Sequence, residues 1–278
     1  MKRYASILQS IQDFGKHSPL VDALVMIGSY AREKVPADEF SDLDLILFVK
    51  DPNAFLFSDH WLEGLGPYTI SFVENTVGGL RERRMLFEGC LDVDFIFIPP
   101  DFPIREEFAG ILKRGYRILL DKTGIGNTLE KLAKHLPVND LPSREELITS
   151  TNDFWYHAVW TAKKILRGEL WTAKNCMDCY MKNILLRFIE LYTVVCTDES
   201  RDTWHNGRMI EKWADPVVLQ KIPGIFSEYD REQMIEALFH MMELFRFLSI
   251  PIAEKLSYLF PHKAEEFALQ WITQAFQE

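Results

Sequence analysis

Cysteine is scarce in this chain of 278 residues: Cys90, Cys176, Cys179 and Cys196 are too few and too scattered for a disulfide framework. Cys176 and Cys179 have C-x-x-C spacing. They lack a second ligand pair nearby and fall in a helical pattern, so they read as helix packing rather than as a zinc or redox site. Also missing is any apolar run long enough to cross a bilayer, and the opening MKRYASILQSIQDFGK has no signal-peptide core. A cytoplasmic protein with no membrane partner is expected. Basic residues are in deficit, 31 Lys and Arg against 41 Asp and Glu, for a formal charge of −10. That excludes the basic footprint on which nucleic-acid binding depends, whereas an acidic field suits a cationic small molecule. Repeats and low-complexity segments are absent too, leaving an ordinary globular composition with length for one large or two modest domains.

What is present centres on Leu24 to Val49, LVMIGSYAREKVPADEFSDLDLILFV. The apolar run Leu24–Ile27 reads as a buried strand that stops at Gly28-Ser29, where a residue without Cβ lets the backbone approach a ligand. A short helix from Tyr30 to Lys34 would turn the Ser29 hydroxyl and nearby N–H groups toward an anion such as phosphate, with Arg32 adding charge. In Ser41-Asp42-Leu43-Asp44-Leu45-Ile46-Leu47-Phe48-Val49, alternation puts Asp42 and Asp44 on one face and the apolar residues on the other. Two carboxylates one strand repeat apart repel each other unless a cation sits between them, and Mg²⁺ suits hard oxygen donors shared with substrate phosphates. A second strand pattern, Leu91 to Ile98, carries Asp92 and Asp94 on one face. If the two strands are neighbours, three acids converge. Glu88-Gly89 reads as the turn of a hairpin whose other arm is Arg84 to Phe87.

The rest of the chain divides by pattern. Tyr4, Ile7, Leu8, Ile11 and Phe14 predict an amphipathic helix ending near Gly15. Residues 51–64 read as loop and short helix, 68–73 and 117–120 as strands, so strands and helices intermix up to about residue 138. The prolines of 137–142 mark a linker, and Ser143-x-x-Glu146 is a capping box that opens a long helix. Further helices are predicted over 173–195, after Asp215-Pro216, and over 231–247 and 264–276, with no return of strand alternation. The expected fold class is α+β, a mixed sheet with helices over 1–138 followed by an all-helical domain over 143–278. Trp160, Trp171 and Trp213 are expected in the helical core, while Trp155 and Trp204 are candidate ligand contacts.

Gly28-Ser29, a twelve-residue gap, Asp42-x-Asp44 and a later acidic strand resemble the nucleotidyltransferase superfamily that includes DNA polymerase beta. The segment GSYAREKVPADEFSDLDL is similar, more narrowly, to the signature of the aminoglycoside 6-adenylyltransferase (streptomycin adenylyltransferase) family. Ile98-Pro99 after Asp94, Leu119-Leu120-Asp121-Lys122, Asn152-Asp153-Phe154-Trp155, Leu185-Leu186-Arg187, Asn206 with Arg208, Leu244-Phe245-Arg246 and Ala253-Glu254-Lys255-Leu256 resemble that family's landmarks in order. Three departures stand out. Tyr30 replaces a common Arg, so a triphosphate contact is either lost or moved to Arg32; Lys174-Asn175-Cys176 replaces Ile-Asp-His; Trp204-His205 replaces Gly-Lys.

The resemblance implies a polymerase-beta-like nucleotidyltransferase domain that transfers AMP from ATP to an acceptor hydroxyl with Mg²⁺. Gly28, Ser29, Arg32 and Arg208 would serve the nucleotide, with Lys182 a weaker clamp. Asp42, Asp44 and Asp94 would be catalytic and hold metal, Asp94 being either general base or third ligand, with Asp92 in reserve. Asp92, Asp178 and Trp155 are the acceptor candidates, with Glu190 behind them, in a cleft between the halves. Three other readings are a lincosamide or metabolite acceptor, an antitoxin-like nucleotide-binding regulator, and an inactive scaffold. The last two fit poorly with the chain's length and with the retained aspartate pair.

Overall fold

The computed structural model describes residues 2–32, 34–76, 79–99, 102, 106–134, 141–198, 201–203 and 206–277, with 106–108 described by backbone alone. The chain forms two compact units, Met1–Val138 and Asn139–Glu278. Residues 137–140 of the expected linker, and Trp204-His205, lie outside the described residues.

The first unit runs α1 (Ala5–His17), β1 (Val21–Ile27), β2 (Leu43–Val49), α2 (Asn53–Leu56), β3 (Tyr68–Asn75), β4 (Arg81–Phe87), β5 (Leu91–Ile98), α3 (Glu106–Lys113), β6 (Arg117–Asp121) and α4 (Ile125–Lys134). Helix α1 continues two residues past the expected stop at Gly15. That glycine is a contact residue, since a Cβ there would lie 3.0 Å from Leu120 Cδ2. The six strands form one mixed sheet in the order β3-β4-β5-β2-β1-β6, with β2 and β5 parallel and the other neighbours antiparallel.

Alternation along the strands separates two faces. Leu43, Leu45 and Leu47 of β2 and Val93, Phe95 and Phe97 of β5 pack with Ile7 and Ile11 of α1 and with Phe55 and Trp61. The opposite face buries Val25, Ile46 and Ile98 against Leu112 of α3 and Leu129 of α4. By the same alternation Asp44 and Asp94 belong to this second face, in register with each other. Such burial stabilises by about 25 cal/mol per Å² of apolar surface removed from water, and it holds the register of the strands that carry the acids.

The second unit is helical: α5 (Arg144–Leu166), α6 (Leu170–Asn175), α7 (Lys182–Tyr192), α8 (Ile210–Trp213), α9 (Pro216–Lys221), α10 (Arg231–Lys255) and α11 (His262–Gln277). The capping box is formed: Glu146 N donates to Ser143 Oγ at 3.2 Å and Ser143 N donates to Glu146 Oε2 at 2.8 Å. Asp215 caps α9 by accepting Val217 N at 2.7 Å, with Pro216 at the first helical position. Two departures from the periodicity stand out. The helix expected over 173–195 contains π-helical turns at Cys176–Met181 and Thr193–Thr197. Helix α10 runs through Pro251 instead of stopping short of it, because Ile252, Ala253, Leu248 and Phe245 are all core residues whose packing outweighs one missing N–H.

Candidate active site

The register of the parallel pair β2 and β5 sets Asp44 opposite Asp94. Asp42 lies two residues before Asp44, just ahead of the strand. One carboxylate oxygen from each of Asp42, Asp44 and Asp94 lies within 4.8 Å of the others, Asp42 and Asp44 half-buried and Asp94 buried. Burial pushes the Asp94 carboxyl up to about 7; the Arg84 guanidinium opposes that rise and the Asp44, Glu82 and Asp42 carboxylates add to it. Three converging carboxylates offer the hard oxygen donors that a small divalent cation requires.

β1 delivers Gly28 beside this group, Ile27 being the register partner of Asp44. Gly28 has φ +67°, and a Cβ on it would lie 1.8 Å from Asp44 Oδ2. The backbone thus cradles the carboxylate so closely that no side chain fits, and the turn holds that acid in place. The short helix expected from Tyr30 to Lys34 is instead a single 3₁₀ turn, Gly28–Tyr30. Ser29 is buried, and its hydroxyl donates to the Asp42 carbonyl at 3.2 Å. Its contact in this structure is the loop bearing the first aspartate, in place of the open anion-facing geometry expected. Tyr30 is core, its ring edge-on to Tyr4 at 5.3 Å. The Arg32 backbone N–H donates to the Gly28 carbonyl at 3.2 Å.

Sequence reasoning found the hairpin arm Arg84 to Phe87 but gave Arg84 no place at the site. Arg84 stands opposite Asp94 in the β4–β5 register. Its Nη2 is 3.5 Å from Asp94 Oδ2, and its Nε is 2.5 Å from Glu74 Oε1 and 2.8 Å from Glu82 Oε1. Gly115 was missed as well: a Cβ there would meet the Ala31 carbonyl oxygen at 2.4 Å, so the loop before β6 presses against the turn that follows Gly28. The hairpin of Arg84 to Phe87 was the available signal for Arg84; nothing local marks Gly115.

Residues 1–275 match the sequence model of the family described as streptomycin adenylyltransferase. The chain belongs to the streptomycin adenylyltransferase family. Among its relatives is an aminoglycoside 6-adenylyltransferase of Bacillus subtilis (strain 168), 24% identical over 274 residues and 94% of each chain. Another, of the same description, comes from Campylobacter jejuni, 22% identical over 291 residues, 99% of this chain and 96% of that one. A crystal structure of an aminoglycoside 6-adenyltransferase from Bacillus subtilis aligns over 98% of both chains at 21% identity, with a TM-score of 0.48. Like the relatives that carry these names, this member of the streptomycin adenylyltransferase family is an enzyme.

Of the other expected site residues, Asp92 belongs to the first unit and Trp155, Asp178, Lys182, Glu190 and Arg208 to the second. Asp92 is exposed at the start of β5. The expectation for Trp155 does not hold: it is 1% exposed, edge-on to Phe154 and Phe245 in the core of the second unit, and presents no surface to an acceptor. Asp178 is engaged by Lys174 at 2.5 Å and Lys182 at 2.6 Å. Lys182 also lies over the Phe226 ring, 3.7 Å from its centroid. Glu190 is half-buried, 3.7 Å from Arg187. Arg208 is exposed, and its carbonyl accepts Trp213 Nε1 at 2.7 Å. Among the described residues, no helix is long and apolar enough to cross a membrane.

Proposed function

We propose that this protein is an Mg²⁺-dependent adenylyltransferase that moves AMP from ATP to a hydroxyl of an aminoglycoside, streptomycin or a relative of it, and releases pyrophosphate. The convergence of Asp42, Asp44 and Asp94 beside the side-chain-free Gly28 turn carries this reading. The names of relatives matched along nearly their whole length support the acceptor class. Bound at these carboxylates, Mg²⁺ would supply charge neutralisation for the triphosphate and its leaving group.

The chain's own residues do the rest. Asp42 and Asp44 would hold the cation, and Gly28 keeps Asp44 from swinging away. Asp94, third of the set, takes the proton from the acceptor hydroxyl, and a carboxyl that titrates near neutrality is suited to that exchange. The acceptor oxygen forms its bond to the α-phosphorus as the bond from that phosphorus to the bridging oxygen breaks, and pyrophosphate carries away the electron pair. Positioning and electrostatics supply most of such catalysis.

The test is pyrophosphate release with ATP and Mg²⁺ across aminoglycosides and lincosamides, for the natural chain and for a variant carrying Asp42→Asn and Asp44→Asn. Release with an aminoglycoside, lost in the variant, is the expected result. Release with a lincosamide alone would move the acceptor to that class, and silence with intact nucleotide binding would overturn the reading.

A further inference from the structure

The face of the sheet that holds the carboxylates does not end at them. Register pairs run Asp44 to Asp94, Asp94 to Arg84, and Arg84 to Phe72, so these four residues form one row across β2, β5, β4 and β3. On β3, the edge strand, Phe72 is 49% exposed and Ile70 on the same face 52% exposed, whereas Val73 is packed into the core on the other side. Exposed apolar side chains are individually unremarkable. Two of them on an edge strand, with Phe72 in register with two of the three converging acids, are a different matter. Elsewhere this face is closed by Leu112 and Leu129.

We propose that Ile70 and Phe72, with Glu74 and Asp92 beside them, form the floor on which a cationic acceptor sugar lies while its hydroxyl reaches Asp94. The inference rests on the adenylyl-transfer reading and deepens it by placing the acceptor. Phe72 stands two strand spacings from Asp94, roughly 10 Å, a span that an acceptor of more than one ring bridges. An aromatic ring offers an apolar face to the sugar and a negative π-face to its ammonium or guanidinium groups. The charge on the shelf is of the right sign. Three carboxylates, Glu74, Glu82 and Asp92, share the face with one guanidinium, Arg84, which Glu74 and Glu82 engage at 2.5 and 2.8 Å. Arg84 is thereby screened from an approaching cation, which meets a net negative surface.

The experiment is calorimetric titration of streptomycin and a panel of aminoglycosides into the full chain, with ATP and Mg²⁺ titrated separately. It compares the natural chain with Phe72→Ala, Glu74→Gln and the control Phe57→Ala, an exposed ring facing Arg81 away from the site. Phe72→Ala is expected to weaken aminoglycoside binding about five- to tenfold and to leave ATP binding unchanged, while Phe57→Ala binds as the natural chain does. Glu74→Gln is expected to weaken binding at low salt and less so at high salt. Unchanged affinity in Phe72→Ala overturns the proposal, as does parallel loss of ATP binding or a change of oligomeric state by light scattering, which would assign the face to copy-to-copy contact. An acceptor panel that neither binds nor is adenylylated by the natural chain overturns the functional reading itself; adenylylation with Phe72→Ala unaffected removes the shelf alone.

Discussion

At the scale of single residues, the site is set by what cannot be added as much as by what is there. An alanine at Gly28 would place its Cβ 1.8 Å from Asp44 Oδ2 and would have to hold φ near +67°. Gly28→Ala is therefore expected to displace Asp44 and lower kcat about 100-fold, with far-ultraviolet circular dichroism unchanged; a near-normal kcat would contradict the role given to the turn. Asp94 makes a second prediction, this time with pH. Its folded-state pKa is raised from 3.8 to about 7. Between those values the folded chain keeps a proton that the unfolded chain has released, so the group's contribution to stability falls as pH rises through that window. In chelator-treated protein, Asp94→Asn should match the natural chain near pH 4 and melt a few degrees higher at pH 8. A difference independent of pH would count against this origin. The three acids and Gly28 were readable because alternation and a missing Cβ have direct structural meaning. Trp155 was not, since an aromatic ring suits a core as well as a ligand, and only packing distinguishes the two.

At the scale of elements, the parallel register of β2 and β5 is the decisive feature, because a one-residue slip would turn Asp94 into the opposite face. The strands themselves were legible from alternation, and their adjacency was stated only as a condition. Arg84 stayed hidden because its meaning depends on the registers of β3, β4 and β5 together. Its neighbour Arg83 points to the other face and ties β4 to the segment after α2. Its Nε donates to Ser71 Oγ at 2.8 Å and its Nη1 to the Ser58 carbonyl at 2.9 Å, and it is ion-paired with Asp59. Arg83→Met should cost about 1–3 kcal/mol in denaturant unfolding and leave the KM for ATP unchanged; a loss under 0.5 kcal/mol would make the contact incidental. In the second unit the capping box was legible because it is local. The π turns and the passage of α10 through Pro251 were not, because they reflect tertiary packing that periodicity does not encode.

At the scale of the whole molecule, two compact units of similar size share one chain, and the net charge of −10 suits a cationic acceptor better than a polyanion. Composition carried that much, and the resemblance in the Gly28 to Asp44 segment carried the family, which the match over residues 1–275 shows. Acceptor identity was less legible, since it depends on which side chains a folded surface leaves open, as at Phe72, rather than on any linear motif. The proposed adenylyl transfer places its chemistry at the α-phosphorus and ends on the acceptor. The most direct test is mass spectrometry of an aminoglycoside incubated with the protein, ATP and Mg²⁺. The expected product is an acceptor carrying one adenylyl group, formed with an equal amount of pyrophosphate and absent with Asp44→Asn. An acceptor carrying a phosphoryl group alone, or ATP consumed with the acceptor unmodified, would contradict it.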